Sequence, residues 1–412
     1  MALKWKLCLL LFLATTLNYL DRQTMSILAP TLQKEMHLDN QALGWLFAVF
    51  YYSYTLAQFA VGPLLDRSHL RWAFGAAVVV WSAISGLTGL ATGFAGFILF
   101  RLLLGIAEAA NWPASIRIVA RMLEPQERSL GNGIFTSGTS VGALIAPGLI
   151  LAIAGALGWR WAFFLLGSLG GLWLLAWLTW TRSPELNPVW REPDEERGSQ
   201  RERLSLVLGA IVKSPRFFPV LAVAVLINPC LYFSVNWLPT YFAQQRGLTP
   251  GKQLGWILTA IYLGLDLGNL LCGAGVIALT RRGRPLLAAR RMMFLGATVP
   301  LVACAAVPVL PGLTEAVAVL IAVNIGLGIW ISTYLTMTQD IHPSHVSTAL
   351  GVLSGCGSLA GALAMWAVGR VTEHTGNFLI PMLVFSAVAV ISALAGLAAT
   401  REPVATESVH VR

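Results

Sequence analysis

Twelve runs of predominantly apolar residues follow one another along the chain, each about as long as a bilayer is thick. They cover 6–30, 43–65, 72–93, 96–121, 130–156, 160–181, 217–243, 252–279, 287–309, 313–338, 347–370 and 376–399. About 20 apolar residues are needed for an α-helix to cross the hydrocarbon core. The fold class is therefore an all-α membrane protein of twelve transmembrane helices in two six-helix bundles. Composition agrees: 56% of residues are hydrophobic and 11% charged, against about 25% charged in soluble chains. The opening MALKWK and LCLLLFLA have the make-up of a signal peptide, but the apolar run continues to Pro30. An uncleaved first helix is the expectation.

The longest polar stretch, 182–216, separates six runs from six. It carries seven Lys/Arg and six Asp/Glu and reads as a solvated cytoplasmic linker. The organisation is therefore 1–181, a first six-helix bundle; 182–216, the linker; 217–399, a second bundle; and 400–412, a cytoplasmic tail. With both termini cytoplasmic, 20 Lys/Arg fall in inside segments and 5 in outside ones. Positive charge concentrates on the cytoplasmic side of membrane proteins, so this orientation is fixed, and a bacterial inner membrane fits. The net charge of +9 is then topological and needs no nucleic acid. All five cysteines lie in apolar runs without metal or disulfide spacing. None of the six histidines is mid-helix. No metal, cofactor or catalytic constellation is expected, and an enzyme is excluded on that ground.

Charges inside the runs are the informative residues, because each costs on the order of 3 kcal/mol to insert. Asp21 and Arg22 stand side by side in the first run, within NYLDRQTMS. The fourth run, FRLLLGIAEAANWPAS, carries Arg101, Gly105 and Glu108 at i, i+4 and i+7, one helical face. Asp21 and Arg22 cannot neutralise each other, since neighbours on a helix point about 100° apart. Two acids and two arginines nevertheless cancel across the first half. They are either static ion pairs or a titrating cluster. Protonating Asp21 and Glu108 would leave two net positive charges, ready for an anion. Buried pairs stabilise poorly relative to apolar packing, which favours the titrating reading. Gly105 would let another helix or a ligand approach the backbone. Tyr51, Tyr54 and Gln58 share a face of the second run and can hydrogen-bond hydroxyls or a carboxylate.

The second half is polar rather than charged. Tyr232, Asn236 and Thr240 line one face of CLYFSVNWLPTYF; Tyr262, Asp266 and Asn269 form a stripe in IYLGLDLGNLLCG; Ser354 and Ser358 are at i, i+4 in GVLSGCGSLAG. Such groups suit a hydroxylated ligand, although ordinary interhelical hydrogen bonds are the alternative for each Ser, Thr or Asn. Asp266, an acid in mid-helix, has no cheap structural role.

The six-plus-six plan resembles the major facilitator superfamily. GPLLDRSHLR, with Gly62, Asp66, Arg67 and Arg71, looks like that superfamily's loop signature, with His69 where a glycine is usual. TRRGR and GWRWAFF are similar to its other loops. More narrowly, NYLDR, RLLLGIAEAANWPA, NWLPTY and DLGNLLCG resemble the anion:cation symporter branch, nearest its bacterial hexuronate-type members. The resemblance implies a coupling cluster of Asp21, Arg22, Arg101 and Glu108, with Arg22 as carboxylate anchor and Tyr54 beside it. Glu108, once protonated, would free Arg22 for substrate. Ser354 and Ser358 stand where asparagines are common in that branch, so the sugar acid is left open. The expected mechanism is proton-coupled uptake of an organic anion by two rocking bundles. Asp21 and Glu108 would carry protons, and Arg22 with Arg101 would hold the carboxylate. Tyr54, Gln58, Tyr232, Asn236 and Asn269 would meet hydroxyls, and Gly62, Asp66, Arg67 and Arg71 would latch one conformation. The expected partners are a small organic anion, protons and lipid, with the chain a monomer. The rival is a carrier of aromatic acids, dipeptides or drugs working by antiport.

Overall fold

In the computed structural model the described residues are 3–123, 128–190, 204–339, 341 and 346–399. The helices are α1 (Leu3–Met36), α2 (Asn40–Arg67), α3 (Leu70–Thr88), α4 (Phe94–Glu108), α5 (Asn111–Met122), α6 (Arg128–Leu157) and α7 (Trp159–Trp180). Two short helices follow, α8 (Asn187–Trp190) and α9 (Leu204–Lys213). The rest are α10 (Phe217–Arg246), α11 (Lys252–Arg281), α12 (Leu286–Val302), α13 (Leu313–Gln339), α14 (Val346–Thr375) and α15 (Leu379–Ala399). Among the described residues, eleven helical stretches are long and apolar enough to cross a membrane, and none is a strand. The second predicted span corresponds to α2. Tyr51, Tyr52, Ser53, Tyr54, Thr55 and Gln58 lower its hydropathy relative to its neighbours.

The sequence reads through one break. The fourth predicted span is two helices, α4 and α5, parted at Ala109 and Ala110. Pro113 explains the break: it has no N–H for the Ala109 carbonyl and its ring crowds that position. The break falls immediately after Glu108. Several helices outrun the predicted spans, α1 continuing past Pro30 to Met36, whereas α3 stops short at Thr88 and α12 at Val302, where a 3-10 helix, Ala303–Val309, completes the span.

Packing follows one pattern twice. In the first half α1 lies on α6, α2 on α4, and α3 on α7; in the second, α10 lies on α14, α11 on α13, and α12 on α15. The halves meet along three seams: α1 with α10, α2 with α14, and α6 with α11. Backbones come close where glycines face each other. A Cβ on Gly44 would stand 2.8 Å from the Met365 carbonyl oxygen and 3.0 Å from Gly369 Cα.

At the end carrying the α1–α2 connection, polar groups close the gap between the halves. Asp39 caps α2 by accepting from the Ala42 N–H at 2.6 Å. Gln33 Nε2 donates to Asn40 Oδ1 at 2.7 Å, Asn40 Nδ2 to Gln244 Oε1 at 3.2 Å, and Gln244 Nε2 to Gln33 Oε1 at 3.1 Å. This ring of three amides joins α1, α2 and α10. The Asn40 N–H also donates to Glu373 of α14 at 2.8 Å.

Candidate functional site

Residues 21 and 22 point to different neighbours, as their angular separation on α1 requires. Arg22 turns toward α4, where its Nε donates to Glu108 Oε2 at 2.5 Å. Arg22 keeps 15% of its side-chain surface exposed and Glu108 none, so a ligand can reach the arginine but not the acid. The guanidinium lies 4.5 Å from the Tyr54 ring centre and within cation–π distance of Phe50 and Tyr19. Its Nη2 and the second oxygen of Glu108 are buried without a hydrogen-bond partner among the described residues.

Asp21 turns the other way. Its Oδ1 accepts from Ser85 Oγ of α3 at 2.6 Å, and it meets neither arginine among the described residues. Arg101 is buried, with Nε donating to the Leu46 carbonyl at 3.3 Å and its guanidinium 4.5 Å from the Phe50 ring centre. Its Nη1 has no partner among the described residues. The balanced quartet expected from the sequence is therefore one ion pair plus two separately held charges. Gly105 admits a helix rather than a ligand: a Cβ there would overlap Ser53 Oγ and the Phe50 carbonyl of α2. That approach brings Phe50 and Tyr54 over Arg22 and Arg101.

Between the halves, Tyr51 of α2 stacks on Tyr232 of α10 with ring centres 3.8 Å apart. Asn236 Nδ2 donates to Tyr51 Oη at 3.3 Å, and the Tyr232 hydroxyl lies 3.0 Å from Ser358 Oγ. Tyr51, Tyr232, Asn236 and Ser358 are thus linked, while Tyr54 lies against Arg22 itself. Gln58 sits half-buried one turn beyond Tyr54. Asn269 faces away, accepting from Ser332 of α13 at 2.8 Å, which is the interhelical alternative. Ser354 adjoins Tyr334 of α13. Asp266 accepts from Ser140 Oγ of α6 at 2.6 Å, so this acid bridges the two halves. Of the loop signature, Arg71 donates to Thr181 Oγ1 at 2.8 Å and to the Leu178 carbonyl, at the end of α7. The side-chain surroundings of Gly62, Asp66 and Arg67 lie outside the described residues, as do 191–203 of the linker and the 400–412 tail.

Sequence reading missed Phe50, Ser85, Ser26 and Ser140. Ser85 had a signal: with Ser82 it forms an i, i+3 hydroxyl pair on an otherwise apolar helix. Phe50 had none, because an aromatic residue beside an arginine is identified by geometry alone.

The family model described as Major Facilitator Superfamily matches residues 11–365. The hexuronate transporter of Bacillus subtilis (strain 168) is 26% identical over 417 residues, covering 98% of this chain and 97% of its own. The probable galactarate/D-glucarate transporter of Escherichia coli (strain K12) is 27% identical over 421 residues, covering 95% and 92%. Among solved structures, a bacterial homologue of the human lysosomal transporter Spinster, in an inward-facing and unoccupied conformation, superposes with a TM-score of 0.77. It is 20% identical and covers 97% of this chain and 98% of that one.

Proposed function

The chain belongs to the Major Facilitator Superfamily, and on that premise we propose that it is a secondary active transporter taking up a hexuronate or related sugar acid together with protons. The observation that carries this reading is the Arg22–Glu108 ion pair, half accessible and half sealed. While Glu108 is ionised, it occupies the guanidinium. A proton on Glu108 releases Arg22, whose Nε and free Nη2 then offer the parallel donors that a carboxylate accepts. Anion binding and protonation of Glu108 thus favour each other by simple charge balance. Arg101, held without a carboxylate partner among the described residues, keeps the surroundings positive. Asp21 is assigned a second proton site, set apart from the arginines by its bond to Ser85.

The linked hydroxyls and amide of Tyr51, Tyr232, Asn236 and Ser358, with the Tyr54 ring against Arg22 and Gln58 nearby, suit the hydroxyls of a sugar acid. Asn269, Ser354 and Asp266 remain candidates of a second rank, since each already has a helix-to-helix neighbour. The names of the relatives, hexuronate and galactarate/D-glucarate transporters, point to the same substrate class. In this reading the bodies 1–181 and 217–399 rock about the arginine in an inner membrane, both termini cytoplasmic and the chain a monomer. The 182–216 linker joins them, and Gly62, Asp66, Arg67 and Arg71 latch one state.

The test is uptake into proteoliposomes under an inward proton gradient, with glucuronate, galacturonate, galactonate and glucarate offered in turn. An aromatic acid and a dipeptide serve as comparison. Accumulation of a sugar acid that collapses when the gradient is dissipated supports the proposal. Movement of only the aromatic acid or dipeptide, driven by an outward exchange, overturns it in favour of antiport.

A further inference from the structure

Pro239 sits in the interior of α10. A proline has no N–H, so the carbonyl four residues before it, Val235, has no donor within its own helix. In a bilayer an orphaned carbonyl costs several kcal/mol and must find a donor elsewhere. Two side chains supply one. Ser26 Oγ of α1 donates to the Val235 carbonyl at 2.8 Å. Tyr262 Oη of α11 donates to the same oxygen at 3.2 Å. Both lone pairs are used.

This carbonyl is unlike the others that prolines free. Pro30, Pro147, Pro229 and Pro300 also lie inside helices. The carbonyls they release belong to Ser26, Ala143, Val225 and Gly296. Among the described residues, none of these accepts a side-chain hydrogen bond. Of these five carbonyls, only that of Val235 is claimed from another helix among the described residues, and one claimant belongs to the opposite half of the molecule. That claimant, Ser26, is fully buried and lies one helical turn beyond Arg22 on the same helix.

We propose that Ser26 is a positioning residue: through the carbonyl that Pro239 leaves free, it ties the helix bearing Arg22 to α10 and so holds the two halves together at the α1–α2 end. The inference rests on the transport reading above and deepens it. Parting the halves at that end moves α1 off α10 and takes the Ser26 hydroxyl from its acceptor. Tyr262, being on the same half as Val235, stays. The hydroxyl therefore opposes opening at that end. Any change in α1 brought about at Arg22 reaches α10 through one hydrogen bond a single turn away.

The experiment measures the opening directly, without substrate. Spin labels go on cysteines at Lys34 and Thr249, both exposed near that end, with Cys356, the exposed native cysteine, replaced by Ala. The full chain is reconstituted in nanodiscs, and the fraction of molecules with the long label separation is read. Ser26→Ala is expected to raise the open-to-closed ratio about fivefold, the worth of one neutral hydrogen bond. Ser26→Thr, which keeps the hydroxyl, is expected to stay near the parent. In a Pro239→Ala background the helix supplies its own donor, and Ser26→Ala is expected to change the ratio less than twofold, a non-additivity diagnostic of a shared partner. An unchanged ratio in Ser26→Ala overturns the proposal. So does an equal effect of Ser26→Ala with and without Pro239, which would mean that Ser26 acts elsewhere. A failure of proton-driven uptake in the unmodified protein would instead count against the transport reading and leave these ratios standing.

Discussion

Arg22 is held by an acid on one side and by aromatic faces on the other, and the two are separable. The Tyr54 ring is stacked at cation–π distance, and such contacts are worth about 0.5–2 kcal/mol. Tyr54→Phe keeps the face and should leave the substrate KM within about twofold. Tyr54→Ala removes it and should raise KM roughly threefold to thirtyfold, read by initial uptake rates. A larger loss in Tyr54→Phe than in Tyr54→Ala would place the hydroxyl, not the ring, in the binding role. Arg22→Lys keeps the charge but loses the planar fork, and these side chains are not interchangeable at carboxylates. Substrate affinity should fall at least tenfold, measured by isothermal titration. An affinity equal to the parent's would remove the two-pronged geometry from the account.

At the scale of helices, the site is built by one close approach. α2 reaches Arg22 and Arg101 because Gly105 leaves room for the Phe50 carbonyl and Ser53. Overpacking a tight contact costs typically 1–3 kcal/mol. Gly105→Ala should lower the thermal unfolding midpoint by several degrees, followed by tryptophan fluorescence in detergent. Gly171→Ala, where a Cβ meets nothing within 4 Å, should not. Equal midpoints would mean that α2 and α4 relax apart without cost.

Much of this scale was legible in the sequence. Most of the helices follow from apolar length, and the Arg101–Gly105–Glu108 face follows from 3.6-residue periodicity. The direction each charge takes was not legible. Asp21 and Arg22 differ by one residue, and only the placement of α3 and α4 around α1 decides that one meets Ser85 and the other Glu108. The break after Glu108 carried its signal in Pro113, but a proline in an apolar run is compatible with a continuous kinked helix too. Asn269 read as a substrate contact because it shares a stripe with Tyr262 and Asp266. That stripe is wide enough to face α13 as well, and there Ser332 takes its oxygen.

Over the whole molecule, the repeated packing of α1 to α7 in α10 to α15 leaves three seams along which the halves can part. The Gln33–Asn40–Gln244 ring and the Asn40–Glu373 bond close one end of those seams. If this is the outer gate, a disulfide across it arrests transport. The pair Asn40→Cys and Glu373→Cys, oxidised, should cut uptake at least tenfold, and a reductant should restore it. Undiminished uptake through a verified cross-link would show that the halves do not part there.

The central claim is that Glu108 couples protons to the anion by holding and releasing Arg22. It is tested most directly by Glu108→Gln, which keeps size and hydrogen bonding but cannot ionise. Wild-type protein and variant would be compared in proteoliposomes for accumulation of a sugar acid under an inward proton gradient, and for exchange of labelled against unlabelled substrate at equal pH. The account predicts that the variant still exchanges but no longer accumulates substrate in response to the gradient. Accumulation at the wild-type level that still follows the pH gradient in Glu108→Gln would contradict it and make the ion pair structural.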